Sequence, residues 1–446
     1  MEQEVIYSSR NYDTLTSTQV GTSHQRKVRY ESRSAPQSEL RSRGASFTLI
    51  ELLVVIAILA ILAVAVVLIL NPVELIKESR DTTRIEDLAT INKALSLIQV
   101  DQPNASFGSS TTVYVSIPWT TTSTNCSNLG LPTLPAGYAY GCAPTSTYQR
   151  ADGTGWIPVD FTSFSAGAPF SKLPADPVNA TSSGLYYTYI PGGSWEMTAL
   201  MKSAKRKMGG DKDSTSQDGG QYPELYETGS ALNYTPITRD PTLVGYWSFE
   251  EGSGNATSTD YSGHGNNGTW YGTSTHYGTG KVGSYAGSFN GSSDYVKNID
   301  FGSEFDDIFS YAVWVNITSG DYAFVLDLRT GSPFQYLLID RVTPFVRARY
   351  SGLSFGSLQW ASDIGDGWHH IAATWDGTTA RLYVDGAQKI SDTDSSNNSG
   401  IASTDDLFIG KEHPIHPRGT ILMDDVRFYS VALSAAEVQA LYNATR

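Results

Sequence analysis

"GASFTLIELLVVIAILAILAVAVVLIL" (residues 44–70) places one glutamate, Glu51, at the head of a long apolar run. Leu52 to Leu70 is 19 consecutive residues without a charge. At 1.5 Å per residue that is about 28 Å of helix, the thickness of a hydrocarbon core. Arg26, Lys27, Arg29, Arg33, Arg41 and Arg43 precede it, against Glu31 and Glu39. The positive-inside rule therefore keeps residues 1–46 as a basic cytoplasmic leader and places everything after Leu70 on the exported side. A cleaved secretory signal would have a shorter apolar core and an A-x-A-like site. Ala63-Val64-Ala65 has that form, but Val66 to Leu70 continue apolar where a mature soluble chain turns polar. A plain membrane anchor accounts for the length and leaves Glu51 unexplained.

Beyond Asn71-Pro72 the chain resumes helical spacing. Ile85, Leu88, Ile91, Leu95 and Ile98 recur every three or four residues. Between them stand Lys77, Glu78, Arg80, Asp81, Arg84, Glu86 and Asp87. This is an amphipathic helix with one apolar stripe, ending near Asp101-Gln102-Pro103. Pro72 is expected to break it at the membrane boundary. A coiled coil is the alternative, and the early end of the pattern argues against it.

With 446 residues, two or three folded units are expected. Gly, Ser, Thr, Asn and Tyr are abundant after residue 100, a composition of β structure with many turns. The formal net charge of −14 argues against a nucleic-acid partner, because phosphate binding needs clustered Lys and Arg. The two cysteines, Cys126 and Cys142, both lie on the exported side. There a disulfide is expected, with two unpaired thiols as the alternative.

Phe47-Thr48-Leu49-Ile50-Glu51-Leu52-Leu53-Val54-Val55 resembles the N-terminal motif of type IV prepilins and pseudopilins. The resemblance implies cleavage between Ser46 and Phe47 by a prepilin peptidase, N-methylation of Phe47, and an assembly role for Glu51, the fifth mature residue. A carboxylate near hydrocarbon costs a few kcal/mol unless it finds a partner. The amine that cleavage creates on Phe47 supplies one when another pilin subunit packs alongside. The family's usual glycine before the cut is replaced here by Ser46, with Gly44 three residues before Phe47. On this reading residues 47–100 form the transmembrane and amphipathic pilin helix, and residues 101–208 form a pilin-like β head. "GLYYTYIPGGSWEMTALM" (residues 184–201) carries a hairpin signal, and "LPADPVN" followed by "YYTY" resembles pseudopilin heads. "GGDKDSTSQDGG" (residues 209–220) is open to two readings, a polar linker or a calcium loop using Asp211, Asp213 and Asp218. Residues 209–241 are taken as the linker.

From residue 242 to 446, short apolar-aromatic runs recur between turn signals, which implies an all-β antiparallel sandwich or jelly roll. Asp376-Gly377 and Asp385-Gly386 mark tight turns, and Ser434-Ala435-Ala436-Glu437 marks a capping box before a closing helix. "GYWSFEEGSG" (245–254), "DYSGHGNNGT" (260–269), "GSFNGSSDYV" (287–296), "WHHIAATWDGTTARLYVDG" (368–386) and "MDDVRFYSVALSAAEV" (423–438) resemble the laminin G-like, concanavalin A-like lectin family. That family often holds a structural calcium, which points to Asp260, Asn266 and Asp424 as oxygen ligands. Turn-forming Asp and Asn that bond their own backbone are the alternative. Six of the nine tryptophans lie in this region, and Trp270 and Trp360, near Gly-rich or polar stretches, are the candidates for stacking on a sugar.

No Glu-x-Asp-x-x-Glu pattern is present, and the adjacent His369 and His370 face opposite sides of a strand. The chain is expected to bind rather than catalyse. The whole is an α+β pilin-like unit followed by a jelly-roll sandwich. The favoured role is a bacterial subunit that sits in the inner membrane before assembly and then displays its sandwich on a filament or the cell surface, for adhesion to an extracellular glycan or protein. The alternatives are a pseudopilin of a secretion or DNA-uptake machine and a non-polymerising anchored surface protein.

Overall fold

The computed structural model describes residues 48–119, 126, 128–164, 167–252, 254, 256–273, 275–305, 308–320, 322–329, 335–342, 345–350, 356–394, 404–411 and 419–446. The side chains of 65, 67–70, 329 and 335 lie outside that set, as does the whole leader. The chain divides into two units, Met1–Val66 and Val67–Arg446.

Helix α1, Leu49–Leu70, has 22 residues, with Glu51 in its first turn. Among the described residues no helix is long and apolar enough to cross a membrane. Asn71 ends the helix in the left-handed region, at φ 39°, and Pro72 opens α2, Pro72–Asp101. The Asn71 side chain accepts from the Glu74 N–H. Proline at a first helical position loses no bond, so the break and the restart share one dipeptide.

The stripe of α2 lies on the head sheet. Leu88, Ile91, Leu95 and Ile98 are fully buried with Tyr187, Tyr189, Trp195, Met197 and Ala199. The sheet is built from β1 (Thr112–Val115), β2 (Ala139–Gly141), β3 (Thr188–Pro191), β4 (Trp195–Leu200) and β5 (Leu225–Gly229), in the order β2-β1-β3-β4-β5. Only the β1–β2 pair is parallel. The expected hairpin is β3–β4. Cys126 and Cys142 form a disulfide across the loops of this head, with Cα atoms 6.1 Å apart.

Two features depart from the sequence reading. Asp81 and Arg84, taken as solvated, are buried on α2. The Arg84 guanidinium donates to Asp81 Oδ1 at 2.6 Å and to both oxygens of Asp176, at 2.6 and 3.0 Å. Asp176 belongs to the "LPADPVN" stretch, so that motif holds the helix to the sheet by a buried ion pair. Residues 209–241, taken as a linker, contribute β5 to the sheet. The carboxylate of Asp213 accepts the N–H groups of Gly209, Thr215 and Ser216, and that of Asp218 accepts those of Gly220 and Glu227. The acids order the segment by capping their own turns, and burial pushes the Asp218 carboxyl up to about 7.

The sandwich follows without a break. Its strands are β6 (Leu243–Trp247), β7 (Thr257–Ser258), β8 (Gly268–Tyr271), β9 (Tyr277–Thr279), β10 (Tyr285–Phe289), β11 (Tyr295–Asn298), β12 (Phe309–Ser319) and β13 (Tyr322–Arg329). They continue with β14 (Gln335–Asp340), β15 (Phe345–Arg349), β16 (Ser357–Trp360), β17 (His369–Trp375), β18 (Thr379–Val384), β19 (Ala387–Thr393), β20 (Asp406–Ile409) and β21 (Thr420–Tyr429). One sheet runs β19-β18-β17-β12-β21-β10-β9, with β6 also on β21; the other runs β16-β15-β14-β13-β20-β11-β8-β7. The β18–β19 turn puts Asp385 at φ 53° and Gly386 at φ 74°, two consecutive left-handed residues that the Asp-Gly pair accommodates.

Strand β12 is buried on both faces, and its period of two sorts the contacts. Phe309, Tyr311, Val313, Val315 and Ile317 point between the sheets. Ala312 and Trp314 point the other way, where α3 (Ala435–Thr445) lies. The Trp314 indole donates to Thr445 Oγ1 at 2.9 Å. The capping box on α3 forms as expected, with Ser434 and Glu437 each bonding the other's backbone.

Head and sandwich share a core. Leu185, Leu200, Met208, Tyr222 and Leu225 of the head pack with Leu243, Tyr246, Tyr429, Leu433 and Leu441 of the sandwich.

Candidate functional site

Three places carry the residues to which the sequence points. The first is the head of α1. Ser46 and Phe47 lie outside the described residues. Glu51 stands three residues after Thr48, and the two side chains close a reciprocal cap. The Glu51 carboxylate accepts from the Thr48 N–H and Oγ1, each at 2.8 Å, while the Glu51 N–H donates to Thr48 Oγ1 at 3.2 Å. This is the S/T-x-x-E capping box, which satisfies two of the orphan donors at a helix start. Within one chain, then, the acid has a local partner.

The second is the proposed calcium set. The Asp260 carboxylate accepts four donors: Oδ1 takes the N–H of Tyr246 and of Ser262, each at 2.9 Å, and Oδ2 takes Ser262 Oγ and the Asn266 N–H, each at 2.8 Å. The Asn266 amide donates to the Val244 carbonyl at 2.8 Å. Asp424 lies on β21, where its Oδ2 accepts from the N–H of Lys281 and of Val282. Its Oδ1 is buried without a hydrogen-bond partner, and burial pushes this carboxyl up to about 8. Asp260 thus spends its oxygens on Tyr246 and on its own turn, while Asp424 caps a different loop. Among the described residues no group of three or more His, Cys, Asp or Glu is arranged to hold a metal ion.

The third is the pair of tryptophans. Trp270 is buried, and its ring is stacked on His276 at 4.4 Å and on Phe289 at 5.0 Å. No ring face is left for a sugar. Its position on β8 explains this: burial alternates along the strand, with Thr269 and Tyr271 outward and Trp270 inward. Trp360 is half-buried on the edge strand β16, with the Lys389 ammonium 5.2 Å above its ring. His370 is buried against Trp314, and its imidazole is pushed down to about 4 by burial. His369 faces the other way, its Nδ1 2.9 Å from Asp385 Oδ2, and that bond raises its pKa.

Sequence reading missed a buried charge cluster where head meets sandwich. Arg427 on β21 donates to Asp425 Oδ1 at 3.0 Å and Oδ2 at 3.1 Å, and to Glu224 Oε1 at 2.7 Å. Glu224 Oε1 also accepts the Tyr429 hydroxyl at 2.6 Å, and the guanidinium sits 4.0 Å from the Tyr246 ring centroid. Glu224 lies 203 residues before Arg427, so no local pattern signals the pairing.

Residues 41–67 match the model of the prokaryotic N-terminal methylation motif, and residues 290–439 match that of the concanavalin A-like lectin/glucanases superfamily. The N-terminal match covers the expected prepilin motif, and the second lies within the sandwich. No curated protein matches the chain. Among solved structures, the binding domain of Paraclostridial mosquitocidal protein 1 is similar at 17% identity and a TM-score of 0.36, over 46% of this chain and 52% of that one. The receptor binding domain of botulinum neurotoxin C/D mosaic serotype is similar at 13% identity and a TM-score of 0.37, over 45% and 51%. Domain 4 of AbnA, a GH43 extracellular arabinanase from Geobacillus stearothermophilus solved with arabinotriose, is similar at 18% identity and a TM-score of 0.36, over 46% and 98%. The chain thus spans about half the length of the first two.

Proposed function

We propose that the protein is a pilin-like subunit that displays a lectin-like sandwich at a bacterial surface, for adhesion to an extracellular glycan or protein. The observation that carries this reading is the continuity of one segment. The methylation motif runs into α1, and α2 then lays Leu88, Ile91, Leu95 and Ile98 on a mostly antiparallel sheet.

In this reading a prepilin peptidase cuts between Ser46 and Phe47, and residues 47–70 hold the subunit in the inner membrane until assembly. Cleavage leaves a cationic amine one residue from Thr48. Glu51 then exchanges its capping bonds, worth about 1 kcal/mol at an exposed helix start, for the amine of a neighbouring pilin. Attraction between full charges in a medium of low dielectric is far stronger than such a cap. The acid therefore favours the assembled state over the lone subunit. The protein binds and does not catalyse.

Mass spectrometry of sheared surface material tests the assembly. An N-methylated Phe47 at the start of the mature chain supports it. An intact leader on protein that stays with the membrane overturns it in favour of a plain anchor. Glycan-array binding by the full chain in detergent micelles tests the display, and an array without signal overturns the glycan reading.

A further inference from the structure

Head and sandwich enclose a cleft of about 480 Å³. Its walls come from both: the loops before β2 and on either side of β5 on one side, and the region of β6, the loop before β10 and the end of α3 on the other. Five tyrosines line it, Tyr138, Tyr222, Tyr234, Tyr246 and Tyr261. Tyr222 and Tyr246 are nearly buried and meet edge to face at 6.0 Å, forming a fixed floor. Tyr261 packs against Tyr246 at 6.2 Å. Tyr234 is held in place from below: its hydroxyl donates to the Gly192 carbonyl at 3.0 Å, and its ring lies so close that a Cβ on Gly192 would stand 2.8 Å from it. Tyr138 is 38% exposed at the rim.

The cleft is polar with little charge. The side-chain amides of Gln221 and Asn233 are exposed, and among the described residues no hydrogen bond engages them. Among the described lining residues Glu250 is the one carboxylate and there is no Lys, Arg or His. Its oxygens accept the N–H groups of Ser284 and Tyr285.

We infer that this cleft, and not the sandwich tryptophans, is a binding site for a neutral or amino-bearing oligosaccharide of two or three sugar units. The inference rests on the proposed display of a binding domain and locates its site. Sugar rings are amphipathic: their C–H faces pack on aromatic rings, and their vicinal hydroxyls form paired hydrogen bonds with a planar amide that donates and accepts. The more exposed rings of Tyr138, Tyr234 and Tyr261, set on the fixed base of Tyr222 and Tyr246 and flanked by two free amides, offer both, and the volume is that of a ligand pocket. The lone carboxylate in the lining, in a protein of net charge −14, disfavours acidic sugars. Because both walls are needed, neither the head nor the sandwich alone makes the site.

The test uses the full chain in micelles on an array of neutral, amino and acidic oligosaccharides, followed by calorimetric titration of the strongest neutral or amino hit. The variants are Gln221→Ala/Asn233→Ala and Tyr138→Ala, whose side chains are exposed, with Trp360→Ala as the sandwich control. The expected result is that each cleft variant weakens binding about tenfold, the loss of one or two hydrogen bonds or one stacking contact, with unfolding midpoints unchanged and with Trp360→Ala binding like the wild type. Binding that survives in both cleft variants overturns the cleft as the site and leaves glycan display standing. Binding confined to acidic glycans overturns the ligand class. An array blank for the wild type overturns both the cleft as a sugar site and the glycan reading of the display.

Discussion

Replacing Arg427 by leucine is expected to uncouple head from sandwich. Its side chain is fully buried, and Glu224 and Asp425 are nearly so. Arg427 is the shared cation of both carboxylates, which it engages through three hydrogen bonds between 2.7 and 3.1 Å. Arg427→Leu keeps apolar volume over the Tyr246 ring but leaves two acids in a site without their cation. Breaking a buried ion pair from one side costs roughly 3–5 kcal/mol, a large part of the 5–15 kcal/mol that holds a typical domain. Glu224→Gln is expected to cost about 1–2 kcal/mol, since the amide oxygen still accepts from Arg427 and Tyr429. The measurement is urea unfolding of the full chain in micelles, followed by tryptophan fluorescence. Trp195 lies in the head and Trp247 in the sandwich, so single-tryptophan forms report the two parts separately. In the wild type the two transitions coincide because the parts share a core. In Arg427→Leu the midpoint falls and the transitions separate. A double variant with Glu224→Leu is expected to cost less than the sum of the singles, because the second change removes an acid that the first left bare. A loss below 1 kcal/mol in Arg427→Leu, with coincident transitions, would refute the cluster as the joint.

A chain cut to residues 242–446 uncovers the Tyr246, Tyr429 and Leu433 surface that the head covers; light scattering is expected to show aggregation or dye binding that the full chain does not show. Cys126→Ser/Cys142→Ser opens a loop closed at a separation of 16 residues, with an expected loss of about 3 kcal/mol that a urea midpoint, matched by the reduced wild type, would check. His370 is buried neutral among Trp314, Tyr442, Asp385, Asp425 and Arg427, with a folded pKa of about 4 against 6.5 for the unfolded chain. Its contribution is therefore complete above pH 6.5 and is lost as pH falls from 6.5 to 4, about 3 kcal/mol in all. His370→Gln is expected to flatten the stability profile in that window, and parallel profiles for the two proteins would count against it.

Much of the fold is legible wherever one residue spacing settles one contact. The α2 stripe, the β3–β4 hairpin, the Asp385-Gly386 turn and the Ser434–Glu437 box are local, and each follows from periodicity or a turn type. What was not legible depends on a partner far along the chain. Arg84 looks like any solvated helix residue until Asp176, 92 positions away, is brought to it. Residues 209–220 look like a linker because Asp213 and Asp218 are polar, and polarity does not reveal that they cap turns leading into a strand. Trp270 sits among glycines and polar residues, yet the register of β8 turns it inward. The cleft was illegible for a related reason: Gln221 and Asn233 flank β5, and only the docking of the sandwich places Tyr246 and Tyr261 opposite them.

The joint bears on how such a subunit is used. A sandwich on a flexible tether could swing aside and let subunits pack closely. Here the shared core, the β5 strand inside the supposed linker and the Arg427 cluster leave no free segment between the head sheet and β6, so the sandwich keeps a fixed position relative to α2. A bulky domain held rigidly beside the packing helix crowds any neighbour that repeats along a filament. In the proposed reading this favours a sparse or terminal subunit over the repeating one. It also gives the fixed joint a use, because a cleft whose two walls belong to head and sandwich exists only while they hold one geometry.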